Sequence, residues 1–162
     1  PLVPYLQQGD IVIVENVFQY PENLLLTDSD SQKIPVSMPE IAGDLLLARR
    51  IKDTYDVNFA GKSNRPELII GTVVTSSQTL SNRRVIASLQ RDFGAVAVDR
   101  EGSAVGHICR KHECSFLGVR TVTEKLSGHS QSSLNTTLET TMANLLILIE
   151  CITTAPEMTS IV

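Results

Sequence analysis

The sequence contains no tryptophan, and aromatic residues make up only 4% of its 162 residues. So few aromatic side chains argue against a surface on which nucleic-acid bases could stack. The chain also has no block of basic residues, and its formal net charge is −4. Because nucleic-acid-binding domains carry a basic patch or stripe, we expect this protein not to bind nucleic acid.

Long apolar runs and disulfide-type cysteine spacing are also missing. The longest apolar run, MANLLILIECI at 142–152, is about half of the roughly 20 residues that a membrane span needs, so it predicts a buried helix. Three cysteines are an odd count without framework spacing, and no signal peptide with a basic start is recognisable. We therefore expect a cytoplasmic protein in a reducing compartment, without contact to a membrane.

The chain does contain a regular alternation of β-branched runs and amphipathic segments. Strands are predicted in DIVIVENV from Asp10, ELIIGTVVTSS, AVAVD and CSFLGVRTV. Helices are predicted in PEIAGDLLLARRIKDTYD from Pro39, SNRRVIASLQRDFG, EGSAVGHICRKHE and LNTTLETTMANLLILIECI. Residues 19–37 and TEKLSGHSQSS are predicted loops. This order predicts one α/β domain over 1–155, with helices on both faces of a sheet and a tail at 156–162.

The second predicted helix has clear start and stop signals. Ser81 or Asn82 is the expected N-cap, and Gly94 is the expected stop.

The ends of the predicted strands are candidate ligand sites, because ligands in open α/β sheets bind at the carboxyl ends of strands. The candidate ends are TSSQTL after Val74, DREG after Val98 and TEK after Val122.

The stretch VDREGSAVGHICRKHECSF suggests two kinds of site. One is a metal site, because four potential ligands lie within eight positions: His107, Cys109, His112 and Cys114. On a helix, however, only Cys109 and His112 share a face. A structural zinc site takes paired ligands from two places in the chain, and there is no second pair. We therefore expect no metal here.

The other kind of site depends on a longer segment, Phe93 to Glu124. It contains Asp99-Arg100-Glu101-Gly102 at a strand end, Arg120-Thr121-Val122-Thr123-Glu124 at the next strand end, and GTVVTSSQTL upstream. In order and spacing these motifs resemble the nucleoside phosphorylase and nucleosidase family, which includes the methylthioadenosine/adenosylhomocysteine nucleosidases. The resemblance implies a three-layer α/β/α sandwich of the nucleoside phosphorylase type.

The resemblance also implies an activity, which is cleavage of the N-glycosidic bond of a purine nucleoside or thionucleoside. This reaction builds positive charge on the ribose and needs an acid to protonate the departing base. By the resemblance, Glu101 holds the ribose hydroxyls and Glu124 is the acid. The residues alone leave other interpretations of the two glutamates open. A carboxylate such as Glu101 is also favoured by the dipole at a helix N-terminus, and Glu124 could be a solvated loop residue.

Three positions depart from the family pattern. Thr79 stands where an aromatic residue usually stacks on the base, in a loop whose expected contacts also include Ser77 and Leu80. Arg100 replaces a methionine; it could pair with Glu101 or Glu124, or recruit a phosphate or carboxylate of a ligand. Glu124 replaces an aspartate and carries one more methylene. A catalytically degenerate relative that only binds nucleosides, or is purely structural, is therefore the alternative function.

The family's Gly-rich phosphate or water segment has no counterpart before Asp10. We therefore expect the family fold to be incomplete at its N-terminus, and the sequence leaves phosphorolysis and hydrolysis as alternatives. No cofactor is expected, although phosphate could be a co-substrate. The resemblance implies a small-molecule nucleoside as ligand and a homo-oligomeric assembly.

Overall fold

A computed structural model describes residues 1–21, 38–63, 65–77, 79–80, 82–124 and 134–154. Its elements are, in chain order, β1 (Ile11–Gln19), β2 (Glu40–Ala42), α1 (Leu45–Asn58), β3 (Leu68–Thr75), α2 (Arg83–Phe93), β4 (Ala95–Asp99), α3 (Gly102–Lys111), β5 (Val119–Thr121) and α4 (Leu134–Thr154).

Strand β1 is the centre of a mixed sheet with the order β2-β1-β3-β4. β3 pairs in parallel with β1 along its whole length, and β4 continues in parallel beyond β3. β5 and β2 pair antiparallel with β1, at Ile11–Ile13 and Asn16–Phe18 respectively. Because β3 occupies one side of β1, these two short strands share the other side. The carboxyl ends of β1, β3 and β4 therefore lie at the same end of the sheet.

Helices cover both faces of the sheet, which confirms the predicted α/β architecture. Ile13 of β1 packs in a cluster with residues of α1 and α4. Its neighbour Val12 points to the opposite face, where α3 packs on β1, β2 and β3. Val85 and Leu89 attach α2 to the cluster that includes the start of β4. A β1 buried on both faces explains its nearly unbroken run of Ile and Val. Within the described residues, no helix is long and apolar enough to cross a bilayer.

The helix predicted from Pro39 begins later than the sequence suggests. Glu40–Ala42 instead form β2, because their backbone pairs with the edge of β1 opposite β3. The Gly43 N–H then donates to the Glu15 carbonyl at 2.7 Å. α1 begins only after Asp44, whose carboxylate accepts a hydrogen bond from the Leu47 N–H at 2.9 Å. Tertiary pairing has overridden the helical spacing of this segment.

The strand predicted over CSFLGVRTV is also shorter than expected. Only Val119–Thr121 form β5, while Cys114 completes the end of α3 and Phe116 O accepts a hydrogen bond from the Asp44 N–H. β5 runs antiparallel to β1, so its carboxyl end lies beside the start of β1. Several predictions lie wholly or mainly outside the described residues: the loops at 19–37 and 123–133, the Ser81 cap and the tail.

Candidate functional site

A buried carboxylate marks the point where β3 and β4 end side by side. Asp99, the last residue of β4, lies opposite Thr75, the last residue of β3. The side chain of Asp99 is only 7% exposed and accepts a hydrogen bond from the Thr75 hydroxyl at 2.6 Å. Arg120 of β5 donates from Nε to Oδ2 of the same carboxylate at 2.8 Å. The guanidinium compensates a charge that would be costly to bury alone.

The same two strand ends cap helix α3. The Gly102 N–H lies 3.2 and 3.1 Å from the two carboxylate oxygens of Asp99. The Ser103 N–H donates to the Thr75 hydroxyl oxygen at 2.9 Å. The first two N–H groups of α3 thus find acceptors that the helix itself cannot provide. A Cβ on Gly102 would overlap Oδ2 of Asp99, so glycine leaves room for the carboxylate.

Further hydrogen bonds join the end of β1 to this arrangement. The Ser103 hydroxyl donates to Oε1 of Gln19, the last residue of β1. The Tyr20 N–H donates to the Thr75 carbonyl, and the Ser76 N–H donates to the Asp99 carbonyl, both at 2.9 Å. The ends of three parallel strands and the start of α3 therefore form one hydrogen-bonded unit. We call this unit the strand-end network.

Glu101 has a different environment from Asp99. It is the N-cap residue of α3, with φ −125° and ψ −15°, and its side chain makes no capping hydrogen bond. It is exposed, as is Arg100. Within the described residues, neither side chain forms a hydrogen bond or ion pair, so the suggested pairing of Arg100 with Glu101 or Glu124 is not observed there. Because Asp99 and Thr75 already bind the helix N–H groups, the Glu101 carboxylate remains available to a ligand.

The predicted base-contacting loop divides between surface and core. Ser77 and Thr79 are exposed, just beyond the end of β3. Leu80 is 3% exposed and packs in the cluster that contains Val74 and Val85. The side chains of Ser77 and Thr79 are therefore open to a ligand, while Leu80 anchors the loop to α2.

Glu124 is exposed and lies beyond the carboxyl end of β5, which is beside the start of β1. The TEK strand end therefore does not lie with the carboxyl ends of β3 and β4, where TSSQTL and DREG begin. The backbone just before it is fixed, since the Val122 N–H donates to Asp10 O and the Val122 carbonyl accepts from the Gly9 N–H, both at 2.8 Å. Arg120, from the same motif as Glu124, contacts the strand-end network through its hydrogen bond to Asp99.

The histidines and cysteines of the stretch VDREGSAVGHICRKHECSF interact with residues close to them in the chain. An Arg110 guanidinium nitrogen lies 3.0 Å from Nδ1 of His107. The Cys114 thiol donates to the His112 carbonyl at 3.4 Å. Among the residues that the structure describes, no group of three or more His, Cys, Asp or Glu could hold a metal ion.

Sequence reasoning did not assign roles to Asp99, Arg120, Thr75 or Ser103. Asp99 and Arg120 both occur in the quoted motifs, but they are 21 positions apart. The available signal was their opposite charge, at the end of β4 and within β5. Their pairing depends on the antiparallel placement of β5, which local patterns do not reveal.

The chain is similar in sequence to known proteins. The family model described as the Phosphorylase superfamily matches residues 2–152. A 5'-methylthioadenosine/S-adenosylhomocysteine nucleosidase of Mycobacterium bovis is 27% identical over 150 residues, which cover 83% of this chain and 59% of that protein. The nucleosidase of the same name from Baumannia cicadellinicola is 24% identical over 152 residues, covering 91% and 62%. The chain thus spans about three fifths of the length of these relatives.

Solved structures show the same fold. A futalosine hydrolase of Helicobacter pylori superposes with a TM-score of 0.67 at 21% identity, covering 92% of this chain and 63% of that one. The 5'-methylthioadenosine/S-adenosylhomocysteine nucleosidase of Helicobacter pylori, in a structure with butyl-thio-DADMe-Immucillin-A, gives a TM-score of 0.67 at 20% identity, with the same coverage. The three-layer α/β arrangement is therefore that of the nucleoside phosphorylase type.

Proposed function

Because the chain belongs to the phosphorylase superfamily, we propose that it binds a purine nucleoside or thionucleoside and cleaves the N-glycosidic bond. The observation that carries this proposal is the contrast between two carboxylates. Asp99 is buried and fully engaged by the protein, whereas Glu101, two residues later, is exposed and unbonded within the described residues. The nucleosidases that the chain resembles support the reaction class.

Glu101 is the proposed ribose ligand. A carboxylate accepts hydrogen bonds from two neighbouring hydroxyls without donating any. When the bond from the sugar to the base breaks, positive charge develops on the ribose ring. At about 4 Å and an effective dielectric constant of 20, a carboxylate stabilises a unit positive charge by about 4 kcal/mol. This corresponds to about 10³-fold in rate.

Glu124 is the proposed acid. In this role its protonated carboxyl gives a proton to the departing purine while the bond to the sugar breaks. Water or phosphate then adds to the sugar carbon. We expect Glu124→Gln to slow base release by about 10²-fold or more, since general acid catalysis contributes about 10²–10⁴-fold. Nucleoside affinity, measured by calorimetry, should change little. An unchanged rate would remove Glu124 from this role.

The first test of the proposal is release of free base. The purified chain is incubated with methylthioadenosine, adenosylhomocysteine, adenosine, inosine and uridine, each with and without phosphate, and the base is quantified by chromatography. Release that requires phosphate would indicate phosphorolysis, and release without it hydrolysis. We expect release from the purine substrates and none from uridine.

The Glu101→Gln variant tests the residue that carries the proposal. We expect it to lose up to about 10³-fold in rate, because the charge is removed while the shape is kept. Glu67→Gln, at an exposed glutamate elsewhere on the surface, is the matched control and should retain full activity. Equal rates in both variants would contradict the role of Glu101.

The degenerate relative remains the second candidate, because Arg100, Thr79 and Glu124 all depart from the family pattern. Its outcome in the same experiment is distinct. Nucleoside binding that weakens in Glu101→Gln, without base release from any substrate, would support a binding protein. Base release from the unmodified chain would exclude it.

A further inference from the structure

Two cysteines occupy matched positions at the C-terminal end of α3. The Cys114 N–H donates to the Cys109 carbonyl at 2.9 Å, and the Glu113 N–H donates to the Arg110 carbonyl at 3.3 Å. Glu113 between them has φ 57°, the left-handed conformation. Together these features form a Schellman motif, which ends helices in this way.

The motif fixes the distance between the two cysteine backbones. A carbonyl oxygen lies about 2.4 Å from its own Cα, and an amide nitrogen about 1.5 Å from its own. The 2.9 Å hydrogen bond between Cys109 and Cys114 therefore keeps their Cα atoms within about 7 Å. Disulfides span Cα separations of about 4.4–6.8 Å. In a Schellman motif, the side chains at these two positions frequently touch.

The two thiols also differ in exposure. Cys114 is exposed, and its thiol makes a long hydrogen bond of 3.4 Å to the His112 carbonyl. Cys109 is half-buried at the edge of the cluster beneath α3. Cys151, the third cysteine of the chain, is buried in α4 and accepts a hydrogen bond from Asn58 Nδ2 at 3.1 Å. An oxidant in solution therefore reaches Cys114 first.

We propose that Cys109 and Cys114 form a redox-sensitive pair that oxidises to a reversible intramolecular disulfide. The Cys114 thiolate attacks a small-molecule disulfide such as oxidised glutathione, forms a mixed disulfide and releases one glutathione thiol. The Cys109 thiolate then attacks the Cys114 sulfur and displaces the second glutathione thiol. Overall, two protein thiols are oxidised and one glutathione disulfide is reduced to two thiols.

Mass spectrometry of the folded chain tests this pair. The reduced protein is incubated with oxidised glutathione, remaining thiols are alkylated under denaturing conditions, and intact mass and peptides are measured. We expect the protein to be lighter by two hydrogen atoms before alkylation. After digestion, the peptides that contain Cys109 and Cys114 should be joined by a disulfide, and Cys151 should be the single alkylated residue. When the oxidised protein is reduced with dithiothreitol before alkylation, all three cysteines should be alkylated.

Three variants separate the outcomes. Cys151→Ser should form the same disulfide, and Cys114→Ser should form none. Cys109→Ser should accumulate the glutathione adduct on Cys114, with a lifetime about 10-fold or more longer than in the unmodified chain, because the intramolecular attack is lost. An equally long-lived adduct in the unmodified chain, or a disulfide between two molecules, would overturn the proposal. Cys114→Ser changes an exposed side chain, so its folding is not at risk.

Discussion

At the scale of single residues, neighbouring positions at the end of β4 have separate tasks. The Asp99 carboxylate binds Thr75, Gly102 and Arg120 and holds the start of α3 against two strands. Glu101 begins that helix and projects into solvent. The chain turns from strand to helix between them, so one carboxylate is directed into the protein and the other away from it. A rigid first carboxylate holds the backbone of the second in place, which the proposed contact of Glu101 with a ribose requires.

Replacing Asp99 by asparagine tests this holding role. Asp99→Asn removes the charge that neutralises Arg120 and directs an amide N–H toward groups that donate hydrogen bonds. We expect the free energy of unfolding to fall by about 1–3 kcal/mol, measured by urea denaturation. The matched control is Asp92→Asn, which breaks the exposed pair with Arg91 (2.7 Å).

The control should destabilise the protein much less, since exposed ion pairs contribute little. If both variants lowered the free energy of unfolding by the same small amount, the buried Asp99 pair would contribute no more to stability than the exposed pair. Hydrogen exchange at the Gly102 and Ser103 N–H groups should also accelerate in Asp99→Asn and not in the control.

The sequence predicted the turn between β4 and α3 better than the side-chain contacts around it. The DREG motif predicts a strand-to-helix turn because a short apolar run ends before Asp99 and a helical pattern starts after Glu101, and the structure confirms this. The pairing of Asp99 with Arg120 joins residues from two strands that are not neighbours in the sheet. Such contacts depend on the whole topology, so local spacing could not predict them.

At the scale of helices and strands, capping residues explain which boundaries were predictable. α2 begins after Asn82, whose side chain accepts hydrogen bonds from two backbone N–H groups, and ends at Gly94 with φ 64°. Both are local signals and both are confirmed. β2 has no local signal: it is a strand only because β1 offers it an unpaired edge. Pro39 and the helical spacing after it therefore predicted the start of α1 too early.

The last turn of α1 supplies a pH-dependent contribution to stability. Asp56 accepts from Lys52 Nζ at 2.6 Å and from Arg65 at 3.0 Å. Burial acts to raise the pKa of Asp56, but the hydrogen bonds and charges of Lys52 and Arg65 outweigh it and lower the pKa below its ordinary value. A lowered folded-state pKa stabilises the protein above the unfolded-state pKa, about 3.9, and this stabilisation is lost as the pH falls through the folded-state value.

We therefore expect Asp56→Asn to reduce the free energy of unfolding by about 0.2–1 kcal/mol near neutral pH, the range of partly exposed ion pairs. The difference from the unmodified protein should shrink as the pH is lowered below about 4. Urea denaturation in steps from about pH 6 to about pH 2 measures it. Asp53→Asn, at an exposed carboxylate of α1, is the control. A difference for Asp56→Asn that stays constant with pH would contradict the assignment.

At the scale of the whole molecule, β1 connects all layers. It pairs with three strands, and its two faces contribute to separate hydrophobic clusters. Ile13 is fully buried between the sheet and the layer of α1 and α4. The strand was predictable because burial on both faces demands an unbroken apolar run. The direction of β2 and β5 was not predictable, because a strand of three residues is too short to show a sequence pattern.

Truncation of Ile13 should therefore destabilise the whole fold. We expect Ile13→Ala to lower the free energy of unfolding by about 2–5 kcal/mol, the range for large-to-small changes in a core. Thermal and urea unfolding, followed by circular dichroism, measure the change. Leu46→Ala, at an aliphatic residue that is 67% exposed on α1, is the control and should stay within about 0.5 kcal/mol. Similar losses in both variants would mean that the Ile13 cluster is not a cooperative core.

The way the sheet ends on its two sides bears on self-association. One side ends in β2 and β5, which are three residues each, and on the other side the Leu2 N–H occupies the Val96 carbonyl of β4 at 2.8 Å. Long unpaired strand edges recruit strands from other chains and seed aggregates, whereas short or covered edges resist this. Within the described residues, short strands and a partly covered edge thus flank a very β-prone centre, which lowers its tendency to pair with strands of other chains while the fold is intact.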